Sequence, residues 1–187
     1  RHGSPVVPGK MDFLKMSQTM QPEAGYTVIR EHNPSSVLEA HFHQLWAARG
    51  QNFPAINPKL AIKAIGFARV HGDWMGVMVT PWFVHLILLA GGGTLWGDIP
   101  LGQRRYLDLP GATLPFTAAE AFGIGAYQYS PLLAQVSEAE DMAAAQRVAD
   151  DALQAILHLP GAMAAPDDEV PSFSRRGFFR RLAGKRD

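Results

Sequence analysis

Two side chains suited to acid–base chemistry stand out in this 187-residue chain: His85, inside the apolar run 82–90, and Glu120, flanked by small and apolar residues. Histidine titrates near neutrality, and an apolar setting pushes a carboxylate toward the same range. Together they suggest the acid–base pair of a small hydrolase or lyase. The plainer reading is a core or interface histidine and a hydrogen-bonded structural acid. No other catalytic pattern supports the pair. Gly91–Gly93 lack the Lys-Ser/Thr that completes a phosphate-cradling loop, and Gly123-x-Gly125 lacks a third glycine. Ser130 precedes Pro131, outside any Gly-x-Ser-x-Gly elbow. His41 and His43, two apart on a predicted helix, lie on different faces and cannot share a metal. With no cysteine at all, thiolate metal sites, disulfides and a thiol nucleophile are excluded within these residues. The expectation is a protein without catalytic residues, metal or cofactor.

Two binding features remain. Trp74, Trp82, Phe83 and Trp96 place three of the four tryptophans within 23 residues. They read either as a sheet core or as a partly open aromatic groove, since tryptophan is enriched at binding hot spots. Near the end, Ser174-Arg175-Arg176-Gly177-Phe178-Phe179-Arg180 reads like the core of a twin-arginine export signal. It stands at the wrong end of the chain, with only Leu182 and Ala183 where a long apolar region is required. It is therefore a basic solubilising tail, a weak membrane-surface anchor, or a mimic of such a signal that occupies the chain's own binding site.

The elements that position these groups follow from periodicity. Ser36 with Glu39 predicts a capping box for a helix over 36–49, in which Leu38, Phe42, Leu45 and Trp46 share one face. Residues 60–70 and 74–80 predict a hairpin turning at His71-Gly72-Asp73. In the first strand Ile65 and Phe67 compete for the inner face. In the second, both faces are apolar, which requires cover on both sides. Pro81 interrupts, 82–90 forms a further strand, and Gly91–Gly93 make a flexible turn. Strands are expected near 104–109, 112–118 and 124–130. A second helix over 138–158 takes Ser137 and Glu140 as its capping box, and Pro160-Gly161 stops it. Strands closed by a helix predict an α+β fold, a mostly antiparallel sheet packed against two main helices.

One core domain, 35–160, is expected between a flexible arm, 1–34, and a disordered basic tail, 161–187. The formal net charge is zero, but residues 172–187 carry six basic groups against Asp187, leaving about −5 on the rest. An acidic body argues against nucleic acid as the partner. The longest apolar stretch, 74–90, is 17 residues and contains Pro81 and His85, short of the ~20 that span a bilayer. Absence of a secretory-signal pattern in the first 30 residues points to the cytoplasm.

The stretch Trp74-Met75-Gly76-Val77-Met78-Val79-Thr80-Pro81-Trp82 resembles the W-x-G-x-x-x-T-P-W pattern of HybE-type [NiFe]-hydrogenase assembly chaperones. Asn57-Pro58, Leu95-Trp96, Phe116-Thr117 with Glu120, Ser130-Pro131-Leu132 and the Arg-Arg tail extend the resemblance, which covers roughly residues 35–160. It implies a non-catalytic protein that binds hydrogenase large or small subunit precursors, the latter with its twin-arginine signal peptide, and delays export until assembly is complete. Some members carry a rubredoxin module upstream, which needs cysteines these residues lack. On that reading the client-binding residues are Trp74, Thr80, Pro81, Trp82, Phe83 and Trp96, with Glu120, Glu138 and Asp141 as acids for the client's arginines. The alternatives are the His85/Glu120 enzyme and a structural subunit of a larger complex.

Overall fold

The structure, a computed structural model, describes residues 25–157. Two helices, α1 (Ser35–Arg49) and α2 (Met142–Leu157), flank six strands: β1 (Lys63–Val70), β2 (Asp73–Thr80), β3 (Phe83–Leu89), β4 (Arg104–Leu109), β5 (Ala112–Ala121) and β6 (Gly125–Pro131). The strands form one sheet in the order β1-β2-β3-β6-β5-β4, every neighbouring pair antiparallel. This is the expected α+β class. The connection 90–103 carries the chain from mid-sheet to the far edge, and β5 and β6 return to close against β3.

The apolar residues on both faces of β2 find cover on both sides. Met75, Val77 and Val79 join Leu86, Leu88, Phe116 and the alanine face of α2 in one core. Trp74 and Met78 join Ile87, Leu89 and the Leu38 and Phe42 side of α1 in the other. The competition in β1 is resolved by a bulge. The register shifts between Ile65 and Ala68, with Gly66 at φ 64°. One extra residue rotates the strand, so Ile65 enters the α2 core and Phe67 the α1 core. Phe67 then lies across Gly76, where an added Cβ would fall 2.5 Å from its ring. Gly76→Ala is therefore expected to cost ~1–3 kcal/mol by overpacking. In urea unfolding, Phe67→Leu should recover part of that loss. Simple additivity of the two substitutions would count against this packing.

Both expected capping boxes are replaced. The start of α1 is held by Asn33, whose Oδ1 accepts from the Ser35 amide (2.9 Å) and hydroxyl (2.6 Å). Glu39 is drawn away to accept from Ala64 N–H on the outer edge of β1 (2.8 Å). At α2 the capping box forms two residues earlier, between Gln135 and Glu138 on a 3-10 turn, and Asp141 accepts from Ala144 N–H (2.8 Å). The alternatives are equivalent locally, and tertiary docking selects between them.

Residues 25–34, expected within a flexible arm, lie along the sheet's end. Arg30 N–H donates to Ala90 O (2.9 Å), Ala126 N–H to Tyr26 O (2.8 Å), and Trp74 Nε1 to Arg30 O (3.0 Å). Gly91–Gly93, expected to be a flexible turn, are likewise pinned. The fully buried Asp73 accepts at Oδ1 from Gly91 and Gly93 N–H (2.8 and 3.0 Å) and at Oδ2 from Leu95 and Trp96 N–H (both 2.8 Å). Burial alone would raise this carboxyl, but the four backbone donors outweigh it and hold its pKa below the ordinary value. Arg105 donates to Leu95 O and Gln128, and Gln128 to Gly97 O, fastening the rest of the loop.

Candidate functional site

The β2–β3 turn positions the aromatic end of the Trp-Gly-Thr-Pro-Trp pattern. The Thr80 hydroxyl accepts from Phe83 N–H (2.9 Å) and Trp82 N–H (3.3 Å) and donates to Phe83 O (3.1 Å). With Pro81 setting the preceding dihedral, this fixes a two-residue turn and throws the Trp82 ring back over the face that carries α1. There Trp82 stacks on Trp46 of α1 (5.4 Å, 3°) and on Phe53 (4.3 Å, 3°). Buried Phe42 meets Phe83 edge-on (5.3 Å, 82°).

The stack continues across the sheet. Phe83 lies on His85 (4.2 Å, 13°), and His85 on Tyr129 (4.8 Å, 10°), with Tyr127 beyond at 6.4 Å. Trp46, Phe53, Trp82, Phe83, His85, Tyr127 and Tyr129 are all half-buried, so the result is a stripe of ring faces and edges open to contact. Beyond Tyr129 the same face passes over Thr117 and Ala119 of β5 to exposed Arg104, Tyr106 and Asp108 of β4. Helix α1 packs on this same face over β1, at the opposite edge of the sheet.

Burial drives the His85 pKa down to about 4, so the ring is neutral at pH 7. The unfolded chain, with histidine near 6.5, then binds this proton first, and stability falls as pH drops from about 6.5 to about 4. His85→Phe keeps the stack and removes that contribution. The loss of stability between pH 7 and pH 5 in urea melts should shrink accordingly. The same loss in both proteins would sink the assignment.

His85 and Glu120 do not meet. His85 pairs with Met78 on the α1 side of the sheet, whereas Glu120 pairs with Ala126 and shares the opposite side with Gln128. Glu120 instead accepts from Tyr26 N–H (3.3 Å). Glu138 and Asp141 serve the backbone around the start of α2. All three acids thus stand apart from the aromatic stripe, and Glu120 stands apart from the pair at the start of α2. Trp74 and Trp96 are also remote from it. Trp74 is buried under the Arg69 guanidinium (4.6 Å), ~20 Å from Thr80 at ~3.3 Å per residue. Trp96 belongs to the loop on Asp73, its Nε1 donating to Asp98 (2.9 Å). Thr80, Pro81, Trp82 and Phe83 are the expected residues that the fold does bring together. The sequence reading missed Trp46, Phe53 and Tyr129 as members of the stripe; Trp46 was visible only as part of an apolar helix face. Ser174, Arg175, Arg176, Phe178, Phe179 and Arg180 lie outside the described residues. Among the described residues no three His, Asp or Glu side chains are grouped to hold a metal, and no helix is long and apolar enough to cross a membrane.

The chain is 27% identical over 154 residues to the Hydrogenase-2 operon protein HybE of Escherichia coli strain K12, covering 82% of this chain and 93% of that protein. It is 29% identical over 163 residues to Protein HoxT of Cupriavidus necator, covering 79% and 90%. The solution structure of HybE from Escherichia coli superposes with a TM-score of 0.56 at 22% identity, over 81% of this chain and 95% of that one, and so shares the fold. The profile described as "[NiFe]-hydrogenase assembly, chaperone, HybE" matches residues 33–181, which include the turn, the stripe and the Arg-rich tail. With most of its length inside that match, the chain belongs to the HybE family of [NiFe]-hydrogenase assembly chaperones.

Proposed function

We propose that this protein is a non-catalytic cytoplasmic chaperone that binds a hydrogenase subunit precursor, with the small subunit's twin-arginine signal region as its principal client. The observation that carries this reading is the half-buried aromatic stripe from Trp46 and Trp82 to Tyr129. Flat rings held rigid by stacking gain contact area on a client's apolar side chains with little further loss of side-chain entropy. The separation of His85 and Glu120 onto opposite sides of the sheet favours binding over acid–base catalysis. Asp108, which shares the stripe's face, offers a carboxylate to a client arginine, and the guanidinium can engage it in a bidentate way. Glu120, Glu138 and Asp141 would be reached only by a client extending well past the stripe.

Co-purification from cells expressing precursor small subunit tests this directly. The precursor should be retained by the protein, and removal of its twin-arginine segment should reduce retention at least several-fold. Equal retention with and without that segment would move the client site to the subunit body. Retention of neither form would defeat the reading.

A further inference from the structure

The two edges of the sheet are treated differently. On β1 the outward amide of Ala64 is taken by Glu39, and the carbonyl of Phe67 by Asn33 Nδ2 (3.1 Å). With the bulge at Gly66, that edge is closed to further pairing. On β4 the pattern runs the other way. The two-residue loop Pro110-Gly111 makes Leu109–Ala112 the first hydrogen-bonded pair with β5. Alternate residues therefore bond inward, as the bond from Ala118 N–H to Gln103 O confirms at the far end. The amides and carbonyls of Arg104, Tyr106 and Asp108 point out from the sheet. No hydrogen bond reaches them among the described residues. Their side chains lie on the face of the aromatic stripe, Tyr106 being 69% exposed.

The described chain reaches this edge as it ends. Gly111 N–H donates to Ile156 O (3.2 Å), so Leu157 sits beside the β4–β5 turn, and residues 158–187 start from there. Fourteen residues, the number from 158 to 171, give a tether with a reach of roughly 20 Å in the flexible-chain limit, comparable to the ~17 Å length of β4. Charge favours the same place. The described residues hold eight Lys and Arg against eleven Asp and Glu, and Asp108, Asp150 and Asp151 are exposed near the turn. Residues 172–187 hold six basic groups against one acid.

We propose that residues 174–180 of this chain add to β4 as a seventh, antiparallel strand, and that a client's twin-arginine segment must displace them. In an antiparallel pair, Arg175 opposite Asp108 sets Gly177 against Tyr106 and Phe179 against Arg104. Those matches are an ion pair, a ring lying over a bare backbone and a cation over a ring. A short tether gives an effective concentration in the millimolar range, so even weak pairing is well populated. The strand pairing is independent of the client reading above; the displacement rests on it.

Amide exchange in the full-length chain tests the pairing. The amides of Arg104, Tyr106 and Asp108 should exchange on the order of tenfold or more slowly than in an Arg175→Asp/Arg176→Asp variant, while β2 amides stay equally protected in both. Asp108→Lys should also release them, and Asp108→Lys combined with Arg175→Asp should restore protection. Equal exchange at these three amides in wild type and the tail variant overturns the proposal. For displacement, a labelled synthetic twin-arginine signal peptide should bind the Arg175→Asp/Arg176→Asp protein several-fold more tightly than wild type at moderate salt. Arg175→Lys/Arg176→Lys should shift affinity less, in the same direction, because lysine cannot chelate a carboxylate. Unchanged or weaker peptide binding in the aspartate variant overturns the competition. A peptide that binds none of the proteins defeats the client reading, and the exchange result then decides the pairing by itself.

Discussion

Asp73→Ala should destabilise the protein by ~4 kcal/mol or more, the largest loss expected of any single substitution outside the packed apolar core. The carboxylate accepts from four backbone N–H groups, those of Gly91, Gly93, Leu95 and Trp96. Each buried donor left unpaired costs ~1–3 kcal/mol, less whatever water recovers by entering the site. Arg105 would also lose the negative charge that counters the effect of burial on its guanidinium. Asp73→Asn should lose a smaller but still large amount, because its NH2 group would face donors on one side of the cage. Acid sensitivity gives a second reading of the same site. The folded pKa is depressed from 3.8, so the stabilisation is complete above the unfolded value and disappears as pH falls through the folded one. Asp73→Asn should therefore show a shallower loss of stability in that acid window than wild type. Urea melts followed by tryptophan fluorescence measure both effects. Variants within ~0.5 kcal/mol of wild type would show that the loop finds other partners.

Trp82→Ala should separate folding from client binding. Trp82 is half-buried and stacked on Trp46 and Phe53 rather than enclosed. Aromatic pairs of this kind contribute ~0.5–1.5 kcal/mol each beyond their area, so a loss of ~2–3 kcal/mol is expected. That corresponds to roughly 4–12 °C in melting temperature for a chain of this size, with the fold retained. Binding of a precursor signal region should fall by about thirtyfold or more, the ~2 kcal/mol of a hot-spot residue. Trp74→Ala is the contrasting variant. Its ring is buried, capped by Arg69 and hydrogen-bonded to Arg30 O, and its truncation should cost ~3–5 kcal/mol as a core loss. A Trp82→Ala protein that binds its client normally would remove the stripe's central ring from the proposed site.

Much of the architecture was legible from local chemistry. Alternation in 74–80 placed Met75, Val77 and Val79 opposite Trp74 and Met78, and the structure puts them in the two separate cores. Pro81 and Pro110-Gly111 marked where strands break, since proline cannot donate to a ladder, and the structure makes each break a two-residue turn. The exclusion of thiol chemistry needed only the absence of cysteine. The family resemblance rested on the Trp-Gly-Thr-Pro-Trp spacing, whose reason the fold supplies: Gly76 yields to Phe67, and Thr80 closes the turn that aims Trp82.

What the sequence could not decide were choices between locally equivalent partners. Ser36 and Asn33 are both competent caps, and Glu39 is equally suited to a capping box or to an edge amide. The proximity of β1 drew Glu39 to the edge and left Asn33 to hold the start of α1 through Ser35. Three tryptophans close in sequence looked like one cluster, yet a strand carries Trp74 and Trp82 to opposite ends of the sheet. The stripe that does form joins residues as distant as Trp46, His85 and Tyr129, which only strand order brings together. Asp73 resembled an ordinary turn acid, and Gly91–Gly93 a loose linker. The link between them exists because β2 and β3 end side by side and the glycine backbone can close around a carboxylate. Composition and spacing determine which residues can bury, turn or cap, since those are properties of one segment. Which donor meets which acceptor is a long-range matter, decided by register and by the cost of leaving a buried polar group alone.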